Sequence, residues 1–600
     1  MRKMYILCLF FLTACGGGSS SSPEIIANEF EIFISGLDFD GFSFDQQNIS
    51  VSSTNTNCSY SINSNDLIHL FNHNGNNFSF RNPIIYESTK KFDFVVSTIP
   101  KNDCRSADKI FSITVNKFPT EFDAYPANIS DLSTSFYQVN DIGFGGIVIT
   151  ERFSATICYP TPDDCEVWDN ELFGQDAHNM VTGDFNGDGY EDFAVAWAFF
   201  PHTVREDQKV NAPINIYLND GSGRYKEDLN LYQSGRAPTH PFAYRLVAKD
   251  FNNDGVDDLF AGSMGIQVRY EDYSQNHIKP YPHLLLLSDQ NGKLVDSSSK
   301  IKDDNNGNGM LCSFAHDASA GDPDGDGDED IYACNVLLIN DGQGNFEIHP
   351  YINFEWSTEN KYGNPMSSLV VDLNNDNYDD LVFWNFDNRQ HWSDAHEGYI
   401  LLSDQTSNIE NWNKIVLPTG PFGEHHNKYN HAAANDLNND GFTDVVVAVT
   451  RDNPYYEGAY IQVLINDGSG TLIDETSSRF PNQSRESNHH GEGNIYLRDM
   501  NNDNFMDIVH STRDYSSGFH GAHFALNDGY GNFNSIPNRD LPDRPDNGYN
   551  QYDMLMKGLP INADNSSCLD LISATDIGWG DADEDTRNYL FTLINLECYQ

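Results

Sequence analysis

The sequence of 600 residues predicts an all-β protein: a seven-bladed β-propeller with calcium loops, preceded by a small β-sandwich-like domain. Three observations carry this expectation. An Asp/Asn-rich loop of nine residues recurs between Asp184 and Asp507, short β-branched runs flank each copy, and Asn-Asp-Gly turns follow at matching intervals. Composition allows such a fold: 35 Lys+Arg against 89 Asp+Glu give a net charge of −54, yet 30 Tyr, 39 Phe and 7 Trp supply more buriable surface than a disordered chain carries. A field this negative repels phosphate backbones, which excludes nucleic acid as the main partner.

At the N terminus, Arg2 and Lys3 precede an apolar stretch from Met4 to Leu12 that is too short to span a membrane, and Leu12-Thr13-Ala14 leads into Cys15. This arrangement resembles the lipobox of bacterial lipoproteins, which implies that residues 1–14 are a signal peptide and that Cys15 is acylated; an ordinary signal peptide with a free cysteine is the other reading. Gly16 to Ser22 is all Gly and Ser, so residues 15–23 read as lipid anchor and flexible tether. The expected location is the bacterial outer membrane or cell surface, with the periplasmic face also open, and the membrane is reached through the lipid alone. Residues 24–118 lack the loops. There Phe92-Asp-Phe-Val-Val-Ser and Ile110-Phe-Ser-Ile-Thr-Val alternate as the strands of a small immunoglobulin- or cadherin-like sandwich would, suited to a stalk. Without Cys8 and Cys15, the 10 cysteines leave four neighbouring couples expected as disulfides: Cys58 with Cys104, Cys158 with Cys165, Cys312 with Cys334, and Cys568 with Cys598. An even number suits an oxidising compartment.

Residues 119–600 hold the repeats. Positions 1, 3, 5 and 9 of the loops are Asp184, Asn186, Asp188 and Asp192; Asp250, Asn252, Asp254 and Asp258; Asp322, Asp324, Asp326 and Asp330; Asp372, Asn374, Asp376 and Asp380; Asp436, Asn438, Asp440 and Asp444; and Asp499, Asn501, Asp503 and Asp507. Calcium takes about six to eight hard oxygens, and odd positions of a tight loop converge on one centre. Position 7 would add its carbonyl, and Gly or Asn at position 6 accepts a left-handed backbone. Asx-rich turns alone favour the same residues, but recurrence of the full spacing points to about six bound Ca2+ ions. The absence of His and Cys from these ligand positions argues against zinc or copper.

The flanking runs, such as Phe193-Ala-Val-Ala after the first loop, have strand length. Turns at Asn219, Asn340, Asn466 and Asn527 signal hairpins, so each repeat reads as one four-stranded antiparallel blade. One further period beyond Asp499 reaches Asn562, a seventh loop with Ser566 at position 5. Too few residues follow to complete that blade, so its outer strand is expected from the start of the domain, near Gly146 to Glu151.

These loops and turns resemble the FG-GAP/VCBS repeats of bacterial surface proteins, the blade type of integrin α chains and of a fungal propeller lectin, over roughly Pro119 to Gln600. The resemblance implies calcium ligation at the six intact loops; Ser566 departs from the pattern. Function must come from the opposite face. There Thr450-Arg451-Asp452 and Thr512-Arg513-Asp514 open loops in consecutive blades, and Arg451 and Arg513 are candidate contacts for an anionic ligand, with Tyr455 and Tyr456 offering faces to a sugar ring. A structural Arg–Asp pair between blades is the plainer alternative. Loops beginning at Trp197 and Trp384, and His178, His316 and His431, are expected on the same face. No nucleophile elbow, zincin motif or P-loop occurs. The expected function is a monomeric binding or adhesion module for a glycan or protein ligand, the alternative being a polysaccharide lyase or hydrolase that uses the same face.

Overall fold

The computed structural model describes residues 32–35, 48–53, 59–63, 71–74, 77–80, 90–99, 108–115, 133–145, 153–158, 165–171, 176–198, 212–268, 277–302, 309–312, 314–353, 365–385, 397–403, 412–454, 456–483, 491, 493–512, 522–536, 558–566, 568–574 and 588–598. The chain divides into two compact units, Met1–Phe118 and Pro119–Gln600. In the first, strands Ile32–Ser35, Asn48–Ser53, Asn77–Phe80 and Phe71–Asn74 form one antiparallel sheet in that order, and Ser59–Asn63, Lys90–Ile99 and Asp108–Val115 form another.

In the second unit seven antiparallel sheets succeed one another along the chain. Blade one runs Asp176–Gly183, Asp192–Ala198, Ala212–Asn219 and Tyr225–Glu227. Blades two to six repeat this order, starting with inner strands Ala243–Lys249, Ala318–Gly321, Pro365–Val371, Asn427–Asn435 and Gly493–Arg498. The second strand of blade one reads Asp-Phe-Ala-Val-Ala-Trp-Ala and is buried along its whole length, as are Asp258–Ser263 and Asp380–Asn385. A strand with sheets packed on both its faces has no side to give to water, so its sequence is a continuous apolar run instead of an alternating one.

Apolar clusters fill each seam. Phe185, Leu246 and Leu259 meet between blades one and two, Trp384, Tyr429 and Val447 between four and five, and Ile561, Trp197 and Leu590 between seven and one. Counting all neighbours, seven seams are filled and the ring is closed.

Closure uses Leu559–Ile561, Asp570–Ala574 and Asn588–Asn595 as the inner three strands of blade seven and Tyr137–Gly145 as the fourth. The outer strand thus precedes the expected stretch from Gly146 to Glu151, which lies outside the described residues. Burial decides this register: Tyr137 and Val139 are buried against Phe591, Leu593 and Phe524 in the seam between blades six and seven.

Disulfides join Cys312 to Cys334 and Cys568 to Cys598. Cys158 and Cys165 are register partners at the end of a hairpin, Phe153–Cys158 with Cys165–Glu171. Cys58, Cys104 and Cys15 lie outside the described residues. Among the described residues no helix is long and apolar enough to cross a membrane.

Candidate metal centre

Each loop joins the first strand of a blade to the second, and its coil follows from two left-handed residues. At position 6, Gly189, Gly255, Gly327, Asn377, Gly441 and Asn504 have φ between 68° and 94°; at position 4, Gly187, Asn253, Gly325, Asn375, Asn439 and Asn502 have φ between 58° and 72°. Asn and Gly tolerate this region and β-branched residues do not. The side chains then turn inward. In blade one, Asp184 Oδ1 accepts the amides of Gly187 and Asp188 at 2.8 and 3.1 Å, and its Oδ2 accepts that of Gly189 at 2.9 Å. Asn186 Oδ1 accepts the Asp188 amide at 2.9 Å, and Asp188 Oδ1 accepts that of Tyr190 at 3.0 Å. Blades two to six repeat the hold of position 1 on the amides of positions 5 and 6.

Position 9 anchors the loop. Asp192 is fully buried, accepts the Phe185 amide at 3.1 Å through Oδ2, and accepts the Asn219 amide at 2.7 Å through Oδ1, fixing the loop to the third strand. Burial, opposed by these amides and reinforced by the acids at positions 1 and 5, pushes Asp192 up to about 7. Asp258, Asp380 and Asp507 also rise to about 7 and Asp444 to about 6, burial being the largest cause each time. In blade three, carboxylate oxygens of Asp322, Asp324 and Asp326 lie within 4.8 Å of one another. The side chains at the four proposed ligand positions all offer hard oxygens and each loop carries an excess of negative charge, so the residues fit a calcium ion. Among the described residues, carboxylates are grouped closely enough to share one ion at Asp322, Asp324 and Asp326.

Two further residue sets have roles between blades that the sequence reading did not assign. The Asn that opens each hairpin turn reaches the preceding blade: Asn219 Nδ2 donates to Ala563 O at 2.8 Å, Asn340 to Phe251 O at 2.8 Å, Asn466 to Leu373 O at 2.7 Å and Asn527 to Leu437 O at 2.9 Å. Acids at position 8 hold the amide of position 1 in the preceding loop: Asp257 that of Asp184, Asp379 that of Asp322 and Glu191 that of Asn562, each at 2.7 Å. The signal was available in the Glu-Asp and Asp-Asp pairs at positions 8 and 9. Blade seven differs. Its position 7 is Cys568, whose carbonyl accepts the Ser566 hydroxyl at 3.2 Å and whose sulfur is bound to Cys598.

The family described as FG-GAP-like repeat matches residues 184–261 and 436–510, each running from the loop of blade one or five into the second strand of the blade that follows. The chain is a seven-bladed propeller that carries FG-GAP-like repeats. No curated protein matches its sequence. Among solved structures it is similar to an Agrocybe aegerita lectin that recognises non-reducing terminal N-acetylglucosamine, at 15% identity over 68% of this chain and 91% of that one, with a TM-score of 0.36. It is also similar to an exotype rhamnogalacturonan lyase, at 13% identity over 92% and 88% with a TM-score of 0.35, and to a Bacillus licheniformis rhamnogalacturonan lyase, at 11% over 90% and 87% with a TM-score of 0.33.

On the opposite face of this FG-GAP propeller, the Arg451 guanidinium lies over the Phe422 ring, 4.7 Å from its centre. The acid beside it, Asp452, pairs with Lys428 at 3.1 Å, both side chains being buried. Tyr456 is only 8% exposed; Arg513 and Tyr455 lie outside the described residues. Trp197 and Trp384 belong to the seams and not to the loops, because the second strands continue past them into buried positions. His316 is buried and His431 half-buried, with Nδ1 against the carbonyls of Met366 and Ile495 in the next blade. Burial, with Arg245 adding to it, pushes His431 well below the usual range. The sequence reading missed Arg245, which pairs with Asp317 of blade three at 2.6 Å and donates to Asn494 of blade six at 2.8 Å, bracing the ring from inside.

Proposed function

We propose that the FG-GAP propeller is a calcium-stabilised binding or adhesion module for a glycan or protein ligand, carried on a lipid anchor at Cys15. The observation that carries the reading is the placement of six all-oxygen loops on one face, five of them tied by a hydrogen bond to the following blade, with the other face left for recognition. The loops' own amides orient the acids at positions 1 and 5, and the buried position 9 fixes each loop to its sheet. Bound calcium would supply the charge that lets these acids stay ionised together, and any ligand of the folded state alone adds stability, about 2.7 kcal/mol per site at a hundredfold excess over Kd. The first test is metal analysis with melting curves: about six calcium ions are expected, together with a marked drop in Tm on chelation, and a metal-free protein with an unchanged Tm refutes the reading. A glycan array with acidic polysaccharides then separates retention from turnover; new reducing ends or unsaturated uronates would replace the binding module with an enzyme. Labelled palmitate should enter the wild type and not Cys15→Ser; equal labelling of both removes the anchor from the proposal.

A further inference from the structure

We propose that blade three holds the tightest cation site of the ring. This rests on the calcium reading above and names the loop that leads. Position 3 is Asn186, Asn252, Asn374, Asn438 or Asn501 in the other intact loops but Asp324 in blade three, so four carboxylates, Asp322, Asp324, Asp326 and Asp330, replace three. Ligand charge is a main determinant of calcium affinity.

A second, independent observation points into the same loop. In blades one, two, four, five and six, the amide of position 2 donates to the position 9 carboxylate, at 3.1, 2.9, 3.0, 3.1 and 2.9 Å. Blade three has Pro323 at position 2, and proline carries no amide hydrogen. Asp330, fully buried, is left with Oδ2 without a hydrogen-bond partner, on the side of the loop where its counterparts receive the amide. A buried carboxyl oxygen without a hydrogen-bond partner is costly, and a cation in the loop would satisfy it.

The frame around it is already fixed. The Pro323 carbonyl accepts the Ser403 hydroxyl of blade four at 3.1 Å, and the Asp322 amide is held by Asp379 at 2.7 Å. A site whose backbone is clamped before binding loses little freedom on loading.

Titration of the chelator-stripped full chain with Ca2+, followed by calorimetry and native mass spectrometry, tests this. One ion is expected to bind on the order of tenfold tighter than the others. Asp324→Asn should bring it level with them without changing the total, and Pro323→Ala, which restores an amide facing Asp330, should weaken it. Asp376→Asn in blade four should leave the tightest ion in place; circular dichroism of each variant reports that the blades are intact. Equal affinities in the wild type, a tight class that survives both blade-three changes, or its loss in Asp376→Asn overturns the proposal alone. A wild type that binds no calcium overturns the calcium reading and this inference with it.

Discussion

A position 9 aspartate must be both buried and, once a cation is present, ionised. Without metal the first condition wins: Asp192, Asp258, Asp380 and Asp507 are held near 7, well above an ordinary carboxyl. A raised folded-state value means that the folded chain binds protons more tightly than the unfolded one between about pH 4 and 7. Stability of the stripped protein should therefore fall as pH rises through that window, and saturating calcium should flatten the slope. Melting curves at fixed ionic strength decide this, and a stripped protein that gains Tm from pH 4 to 7 refutes it. The acids whose values are lowered, such as Asp220 and Asp467, act below that window, where they favour the fold above their own titration. At this scale positions 1, 3, 5 and 9 were legible because the same residue types recur there in six loops. The left-handed Asn at position 4 and the acids at position 8 were not, since their roles depend on a backbone turn and a neighbouring blade.

Between elements, one asparagine does the joining at four of the seams. Asn466 donates to Leu373 O of the preceding blade and to Thr443 O of its own, and its Oδ1 accepts the amides of Gly468 and Gly470. Asn466→Ala leaves these buried groups unpaired and should cost about 1–3 kcal/mol, measured by denaturant unfolding; a cost below about 0.5 kcal/mol would show that water replaces the side chain there. Glycines complete the joint. A Cβ at Gly468 or Gly529, where φ is 83° and 81°, would stand 3.0 or 2.5 Å from the ring of Phe442 or Phe505, the residue at loop position 7. The Asn-Asp-Gly signal identified the hairpins correctly, because turn chemistry is local. Its second use, reaching a carbonyl some ninety residues earlier, has no local signature.

For the whole molecule, the blade count was legible from the period of the loops, and the need for a closing strand followed from the missing sheet edge. Its place was not, because register there is set by which residues fill the last seam. Val139→Asp puts a charge into that seam and should destabilise the propeller by more than about 4 kcal/mol; an unchanged unfolding midpoint would show that this strand is not the seal. The seal also imposes an order in time. Tyr137–Gly145 is among the first parts of the propeller to be made and Asn588–Asn595 the last, so at roughly 5–20 residues per second the early strand waits tens of seconds for its partner. Until then Tyr137 and Val139 are an open apolar edge that a chaperone or protease can read. Only a chain translated past Asn595 can cover that edge, so a truncated propeller and a finished one differ in the apolar surface they expose.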